Sequence, residues 1–242
     1  MSKYEEPCDG RLSSTVPREG RGETPLHLLD SPFLMNANST FVITINREAG
    51  SGGRTVGRLL AEKLGVNFYD KIIIESLVQE FDLSPEEIES LKAEKRGKWE
   101  ELCSKILSAP SMGYRDDFGK VTSADLFRTE SSLIRHLAEN HSCVIAGRSA
   151  FHALKDHPGR VSVFIWAPKE KRLERLISKH KIPAGEGAEE ILDRLDKSRE
   201  NYTSRFCGVD RHDCRNYDLV INMDSLTEKQ AVKIILDYLK AR

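Results

Sequence analysis

The sequence predicts an α/β fold in three layers, in which helices cover both faces of a five-stranded parallel sheet. Three observations predict it. Short apolar runs rich in β-branched residues recur at 41–45, 66–69, 143–146, 161–166 and 217–222. Segments with helical spacing separate them, and strands that alternate with helices form parallel sheets. A glycine-rich turn joins the first strand to the first helix.

The first helix is predicted at 54–64, where the apolar residues recur at helical spacing, and Gly65 is placed to end it. The last helix is predicted at about 227–241 on the same grounds. Residues 71–140 are predicted to form a mainly helical insert, and residues 207–215 a loop before the last strand. Within the insert, helical pieces are expected at 72–81, 84–108 and 123–140, and a loop at 109–121.

Composition limits the classes of function. The 242 residues are 39% apolar and 31% charged, with a net charge of −1, which gives no argument for nucleic-acid binding. The five cysteines form no C-x-x-C pair, so we expect reduced thiols. The absence of an 18-residue apolar run and of a signal-peptide pattern leads us to expect a cytoplasmic protein without membrane contact. The oligomeric state stays open.

Residues 1–38 differ in amino-acid composition from the rest of the chain. They contain four prolines, several glycines and serines, and no sustained apolar period. This composition predicts a flexible tail ahead of a domain over 39–242.

Ligands of parallel α/β sheets bind beyond the carboxyl ends of the strands. In this sequence that rule selects residues 46–55, 70, 147–149, 167–172 and 222–224. We therefore expect the functional residues to come from these segments.

The glycine-rich turn comprises residues 49–55. Such a turn points consecutive backbone N–H groups inward at the positive end of a helix dipole, and phosphate oxygens fill the concavity. Thr55 adds a hydroxyl for a phosphate or for Mg²⁺. A tight strand-to-helix turn without a ligand is the alternative. The predicted phosphate-binding residues are Gly50, Ser51, Gly52, Gly53, Arg54 and Thr55.

The turn departs from the P-loop pattern G-x-x-x-x-G-K-S/T at two positions. Arg47 stands at the first glycine, and Gly53 stands at the lysine. Arg54, the next residue, is expected to supply the missing cation. An arginine holds phosphate with two parallel hydrogen bonds, whereas a lysine acts as a point charge.

Several segments together resemble the cytidylate kinase-like family, a divergent branch of the nucleoside monophosphate kinases. The resemblance covers about residues 40–240 and implies a P-loop kinase fold with a core, a monophosphate-binding part within 71–140 and a lid at about 169–215. It also implies transfer of the γ-phosphoryl of ATP to CMP or dCMP with Mg²⁺. The matching segments are residues 43–54, 60–65, 68–71, 144–150, 164–168, 196–202 and 216–222.

The resemblance assigns roles to residues outside the turn. Asp70 is expected near the acceptor monophosphate, with a helix cap as its alternative. Arg148 resembles the arginine of a Gly-Arg-Asp motif and is expected to clamp the acceptor phosphate, with a surface salt bridge as its alternative. Ser149 replaces the aspartate of that motif, which leaves the acceptor's identity open.

Two further pairs complete the predicted site. Arg172 and Arg175 lie one turn apart on the helix after the fourth strand and are expected to reach over the phosphates as catalytic cations. Their alternative is a solvated helix face. Asp196 and Arg199 lie three residues apart, so they share a helix face, and they match an acceptor-site Asp-x-x-Arg. An intrahelical ion pair is their alternative.

Three functions are therefore compatible with the sequence. The first is an ATP-dependent kinase of CMP-like nucleotides, and the second is a phosphotransferase with another small-molecule acceptor. The third is a nucleotide-binding regulatory module with little catalytic activity, because the lysine is absent at position 53.

Overall fold

The computed structural model describes residues 40–70, 123–180 and 186–242. The predicted tail, the predicted helices at 72–81 and 84–108, and the loop at 109–121 lie outside these residues.

The five predicted strands form one parallel sheet. They are β1 (Val42–Arg47), β2 (Asn67–Asp70), β3 (Cys143–Ala146), β4 (Arg160–Trp166) and β5 (Leu219–Asn222), in the order β2-β3-β1-β4-β5. Strand β1 lies in the centre, where Ile45 pairs with Ala146 of β3 and with Val163 of β4. All six residues of β1 are buried, as expected for a strand with neighbours on both edges and helices on both faces.

Helices lie between the strands, as predicted. They are α1 (Gly53–Leu64), α2 (Ser123–Asn140), α3 (Ala150–Ala153), α4 (Lys169–His180), α5 (Glu186–Cys207) and α6 (Glu228–Ala241). Helix α1 ends as predicted at Gly65, which has φ of 66° and whose N–H donates to Ala61. Helix α6 begins with a reciprocal cap between Thr227 and Gln230, which satisfies two exposed donors.

Alternate side chains of the strands fill two separate cores. Ile43 and Ile45 point to one face, where they pack with α1 and α6. Val42 and the β3 residue Ile145 point to the other face and pack with α2 and α3. This division follows from the two-residue period of a strand, and it confirms the three-layer arrangement.

A third and smaller apolar cluster joins the glycine turn to helices α4 and α5. Ala49 of the glycine turn packs against Leu176 of α4 and Leu192 of α5.

The order of the strands places a crevice between β1 and β4. From β1 the chain continues to β2, toward one edge of the sheet, whereas from β4 it continues to β5, toward the opposite edge. The carboxyl ends of β1 and β4 therefore flank the crevice in which α/β sheets bind ligands.

The last strand is shorter than the apolar run predicts. It begins at Leu219, and the hydroxyl of Tyr217, two residues earlier, donates to the carbonyl oxygen of Arg211. Among the residues that the structure describes, no helix has the length and apolar content to cross a membrane.

Replacing Leu60 by alanine tests the core that α1 forms with the sheet. Leu60 is fully buried, so the variant should lose about 2–5 kcal/mol of unfolding free energy through lost burial and the remaining cavity. Urea unfolding measures the loss. Glu62→Ala on the exposed face of the same helix is the control and should change stability by less than about 0.5 kcal/mol. Equal effects of the two variants would contradict the assigned packing.

Candidate functional site

The glycine turn has the backbone geometry of a phosphate cradle. Gly50 and Gly52 have φ of 72° and 88°, a region that side chains with a Cβ rarely adopt. Gly52 is the N-cap of α1, and no side chain caps this end of the helix. The first N–H groups of α1 and the positive end of its dipole therefore face the turn, which fits an anionic ligand.

Helix α4 lies directly over the turn. A Cβ at position 50 would lie 2.6 Å from the carbonyl oxygen of Arg172, and a Cβ at position 52 would lie 2.7 Å from Nη1 of Arg175. Gly50 is thus required by space as well as by φ, because its neighbour is a backbone atom, whereas Gly52 is required by its φ. The Arg175 guanidinium also lies 3.5 Å from the carbonyl oxygen of Gly50 and 3.6 Å from the carboxylate of Glu228, at the start of α6.

Arg172 is held by carboxylates beside the turn. Its Nη1 donates to Asp196 and its Nε lies 3.3 Å from Glu48, while the same Nε donates to the carbonyl of Ala167. The arginine is therefore a fixed part of the site and not a solvated residue on a helix face.

Asp196 connects helix α5 to the turn. Its Oδ1 accepts a hydrogen bond of 2.7 Å from the backbone N–H of Ala49. Arg199 lies 3.4 Å from the same carboxylate, so the two residues do share a helix face. The structure brings Asp196 and Arg199 together with Arg172 at the glycine turn.

Arg211 is a component of the site that the sequence analysis missed. It lies in the predicted loop at 207–215, yet its side chain is only 1% exposed. Nη2 donates to the carbonyl oxygen of Arg47 at 2.5 Å, and Nη1 lies 3.9 Å from Asp196. Burial, and then the charge of Arg199, lower the pKa of Arg211 from its ordinary value, while Asp196 acts in the opposite direction.

The loop after β3, residues 147–149, has a strained backbone. After Gly147, both Arg148 and Ser149 have positive φ, of 52° and 50°. A residue with a Cβ in this region costs about 1–3 kcal/mol, and such strain is concentrated at functional sites. Within the loop, Ser149 Oγ lies 3.2 Å from the hydroxyl of Thr203 on α5.

A buried carboxylate holds the arginine of this loop. Nη2 of Arg148 lies 2.5 Å from Oε1 of Glu130, and the guanidinium lies 5.2 Å from the ring centre of Tyr202. The Tyr202 hydroxyl donates to the other oxygen of Glu130 at 2.7 Å. Burial, and then the charge of Glu130, raise the pKa of Tyr202 above its ordinary value, which keeps its proton on the oxygen.

Arg54 and Asp70 form an ion pair at the same edge of the sheet. Nε of Arg54 lies 2.6 Å from Asp70 at the end of β2, where the carboxylate is buried and the arginine is half-exposed. The structure thus brings together two residues to which the sequence analysis gave separate roles.

Thr55, the predicted Mg²⁺ ligand, lies half-buried in the first turn of α1. Over residues 40–70, 123–180 and 186–242, no three His, Cys, Asp or Glu side chains are grouped as a metal centre would need. A magnesium ion that arrives with nucleotide phosphates requires only one or two protein ligands, because water and phosphate complete its shell.

The predicted site residues thus lie at one edge of the sheet in three groups. Arg175 and the glycine turn form the first, with Arg172, Asp196 and Arg199 beside them. Arg148 belongs to the second, with Glu130 and Tyr202, and the Arg54–Asp70 pair is the third. Glu48 lies in the selected segment 46–55, but the sequence analysis assigned it no role. Glu130 and Arg211 were missed, because a lone charged residue in a helix or loop carries no local signal of burial.

The fold and the turn define the class of protein. A five-stranded parallel sheet with a glycine turn between β1 and α1 is the three-layer fold of the P-loop kinases. The model of the cytidylate kinase-like family matches residues 42–225, and the chain belongs to this family. Family and fold together support a nucleotide kinase.

Two proteins named cytidylate kinase are similar to this chain over most of its length. That of Sulfolobus acidocaldarius is 25% identical over 197 residues, which cover 80% of this chain and 91% of the relative. That of Sulfurisphaera tokodaii is 27% identical over 199 residues, with 82% and 94% covered. A crystal structure of a protein from Eubacterium ventriosum superposes with a TM-score of 0.63 at 23% identity, covering 84% and 100% of the two chains.

Replacing Asp196 by asparagine tests the connection between α5 and the turn. The amide keeps the shape but loses the charge that holds Arg172 and Arg199, so we expect a loss of about 2 kcal/mol of unfolding free energy. Urea unfolding gives the value. Asp193→Asn, one turn earlier and exposed, is the control and should stay within about 0.5 kcal/mol. A loss in Asp196→Asn no larger than in the control would contradict this reading.

Proposed function

We propose that this chain transfers the γ-phosphoryl group of ATP to CMP, dCMP or a similar nucleoside monophosphate. The observation that carries the proposal is the position of Arg175 over the uncapped start of α1, at the same sheet edge as the strained loop that bears Arg148. One cation thus faces the glycine turn, and the other lies at the end of a neighbouring strand. Phosphoryl transfer requires mainly such positioning of positive charge around two phosphates.

The donor side consists of the glycine turn and helix α4. The N–H groups at the start of α1 bind phosphate oxygens, and Arg172 and Arg175 supply positive charge. Glu48 and Asp196 hold Arg172 in one orientation, so that little reorganisation is needed when charge develops on the transferred group. Mg²⁺, when bound with ATP, neutralises phosphate charge, and the Thr55 hydroxyl is its proposed protein contact.

The acceptor side consists of Arg148, Asp70 and Arg199. Arg148 clamps the acceptor phosphate, and its pairing with Glu130 and Tyr202 fixes the guanidinium for that task. Asp70 binds the acceptor and orients Arg54 through their ion pair. Arg199 acts together with Asp196. Because Asp196 also accepts from the N–H of Ala49 in the glycine turn, this carboxylate contacts both the acceptor side and the donor side.

The identity of the acceptor is supported by the relatives that are named cytidylate kinase. It is tested by measuring ADP formation with ATP, Mg²⁺ and each nucleoside monophosphate in turn. We expect ADP formation that depends on CMP or dCMP and stops when Mg²⁺ is chelated. A clean negative with every nucleoside monophosphate would contradict the proposal.

A second candidate is a phosphotransferase with a different small-molecule acceptor. Ser149 stands where the family motif has aspartate, and its hydroxyl is engaged with Thr203 inside the protein, which favours a change in acceptor contacts. A screen of nucleosides and small alcohols, again by ADP formation, separates the two candidates. An acceptor in this screen that outperforms CMP and dCMP would favour the second.

The proposal predicts that Glu130 is a positioning residue for the acceptor. Glu130→Gln keeps the size of the side chain but loses the charge that holds Arg148, so the KM for the acceptor should rise by roughly tenfold. The KM for ATP should not change, and steady-state kinetics with each substrate varied gives both values.

The control for this variant is Glu139→Gln, on the exposed side of the same helix α2, which should leave both constants unchanged. An equal rise in both KM values of Glu130→Gln, or no rise in either, would overturn the positioning role. The melting temperature of each variant shows that it is folded.

A further inference from the structure

Two departures from the P-loop pattern meet in space beside the glycine turn. Arg47 stands at the first glycine of the pattern, and Gly53 stands at its lysine. A Cβ at position 53 would lie 2.6 Å from the Cβ of Arg47 and 2.9 Å from its Cγ. The arginine stem therefore occupies the space from which a lysine side chain at position 53 would start.

Space alone explains the glycine at position 53. Gly50 and Gly52 have positive φ, but Gly53 is the first residue of α1 and has a helical backbone, which any residue can adopt. Its neighbour Arg47 is the reason that a Cβ is excluded. A phosphate cradle by itself does not require this glycine, since the pattern has lysine there.

The Arg47 side chain continues from Gly53 toward the loop after β3. A Cβ at Gly147 would overlap Nη1 of Arg47, and Nη2 would lie 3.5 Å from it. Gly147 directly precedes Arg148, and β3 is the neighbour of β1 in the sheet. The Arg47 side chain thus extends from Gly53 of the glycine turn, where its stem lies, to Gly147, where its guanidinium lies.

The backbone of Arg47 is firmly anchored. Its carbonyl oxygen accepts from Nη2 of the buried Arg211 at 2.5 Å, and its N–H donates to Asn46 Oδ1 at 2.9 Å. Asn46 in turn donates to the hydroxyl of Tyr217 at 2.6 Å. The side chain therefore starts from a fixed point, which favours a defined position for its charge.

We propose that Arg47 supplies the cation that lysine brings in the P-loop pattern, and that Gly53 is glycine to make room for it. The ligand is the phosphate chain of a nucleoside triphosphate, so the inference rests on the proposed function. The charge arrives from strand β1 instead of helix α1, and it arrives as a planar fork able to bind two phosphate oxygens. Arg54, the candidate from the sequence, is the alternative source of this charge, and its contact with Asp70 at the end of β2 does not by itself decide between the two arginines.

Binding measurements test this inference separately from catalysis. Calorimetry at fixed salt measures the affinity of the full chain for ATP and for inorganic tripolyphosphate, neither of which needs an acceptor. Arg47→Met keeps the stem and removes the charge. The double variant Arg47→Gly/Gly53→Lys restores a positive charge at position 53 and removes the side chain at position 47 that would overlap it. The double variant Arg47→Gly/Gly53→Met is the matched control without the charge.

We expect Arg47→Met to weaken binding of both ligands at least tenfold, and more than Arg54→Met does. The lysine double variant should bind at least tenfold more tightly than its methionine match. Wild-type affinity in Arg47→Met, equal affinities of the two double variants, or a larger loss in Arg54→Met would overturn the inference.

A fold defect is distinguished by the melting temperature without ligand. If the double variants do not fold, Arg47→Lys takes their place, and it should bind at least tenfold more tightly than Arg47→Met. Equal affinities of these two would overturn the inference. A wild-type chain that binds ATP but transfers phosphoryl to no acceptor refutes the proposed function and leaves the binding comparison valid. A wild-type chain that binds neither ligand refutes both.

Discussion

The rest of the site depends on the contacts of one carboxylate, that of Asp196. It accepts from the backbone N–H of Ala49, holds the Arg172 guanidinium and lies beside Arg199, so helices α4 and α5 are joined to the glycine turn through it. A charged acceptor in a partly buried place makes stronger hydrogen bonds than a neutral one. The position of α4 over the turn, and with it that of Arg175, follows from this junction and from the small apolar cluster beneath it.

Charge at this sheet edge is arranged in advance of any ligand. Glu48 and Asp196 hold Arg172, Glu130 holds Arg148, and Asp70 holds Arg54. Each pairing fixes an arginine whose side chain would otherwise sample many rotamers. The conformational entropy of that side chain is therefore lost when the protein folds, and not when a ligand binds. A phosphate bound as we propose would meet cations already in place, which is the condition for electrostatic stabilisation of charge during transfer.

The sequence was sufficient for the sheet, for the first and last helices and for the edge of the sheet at which the predicted site residues come together. Those features follow from local periodicity and from glycine positions, which are visible in short windows. Glu130, Arg211 and the contact between Arg47 and Gly53 were not predictable in this way. Each depends on residues far apart in the chain that the fold brings together, and nothing in the local pattern separates a buried charge from an exposed one.

The contact between Arg47 and Gly53 also restricts the order in which such a turn can change. In a turn with the P-loop pattern, position 53 carries a lysine. The Cβ of that lysine would overlap the Cβ of an arginine introduced at position 47. The loss of the side chain at 53 creates no overlap, so it must come first or at the same time. The effect of a substitution at one position therefore depends on the residue at the other. A sequence search that requires lysine at position 53 will miss chains that have arginine at position 47 and glycine at position 53.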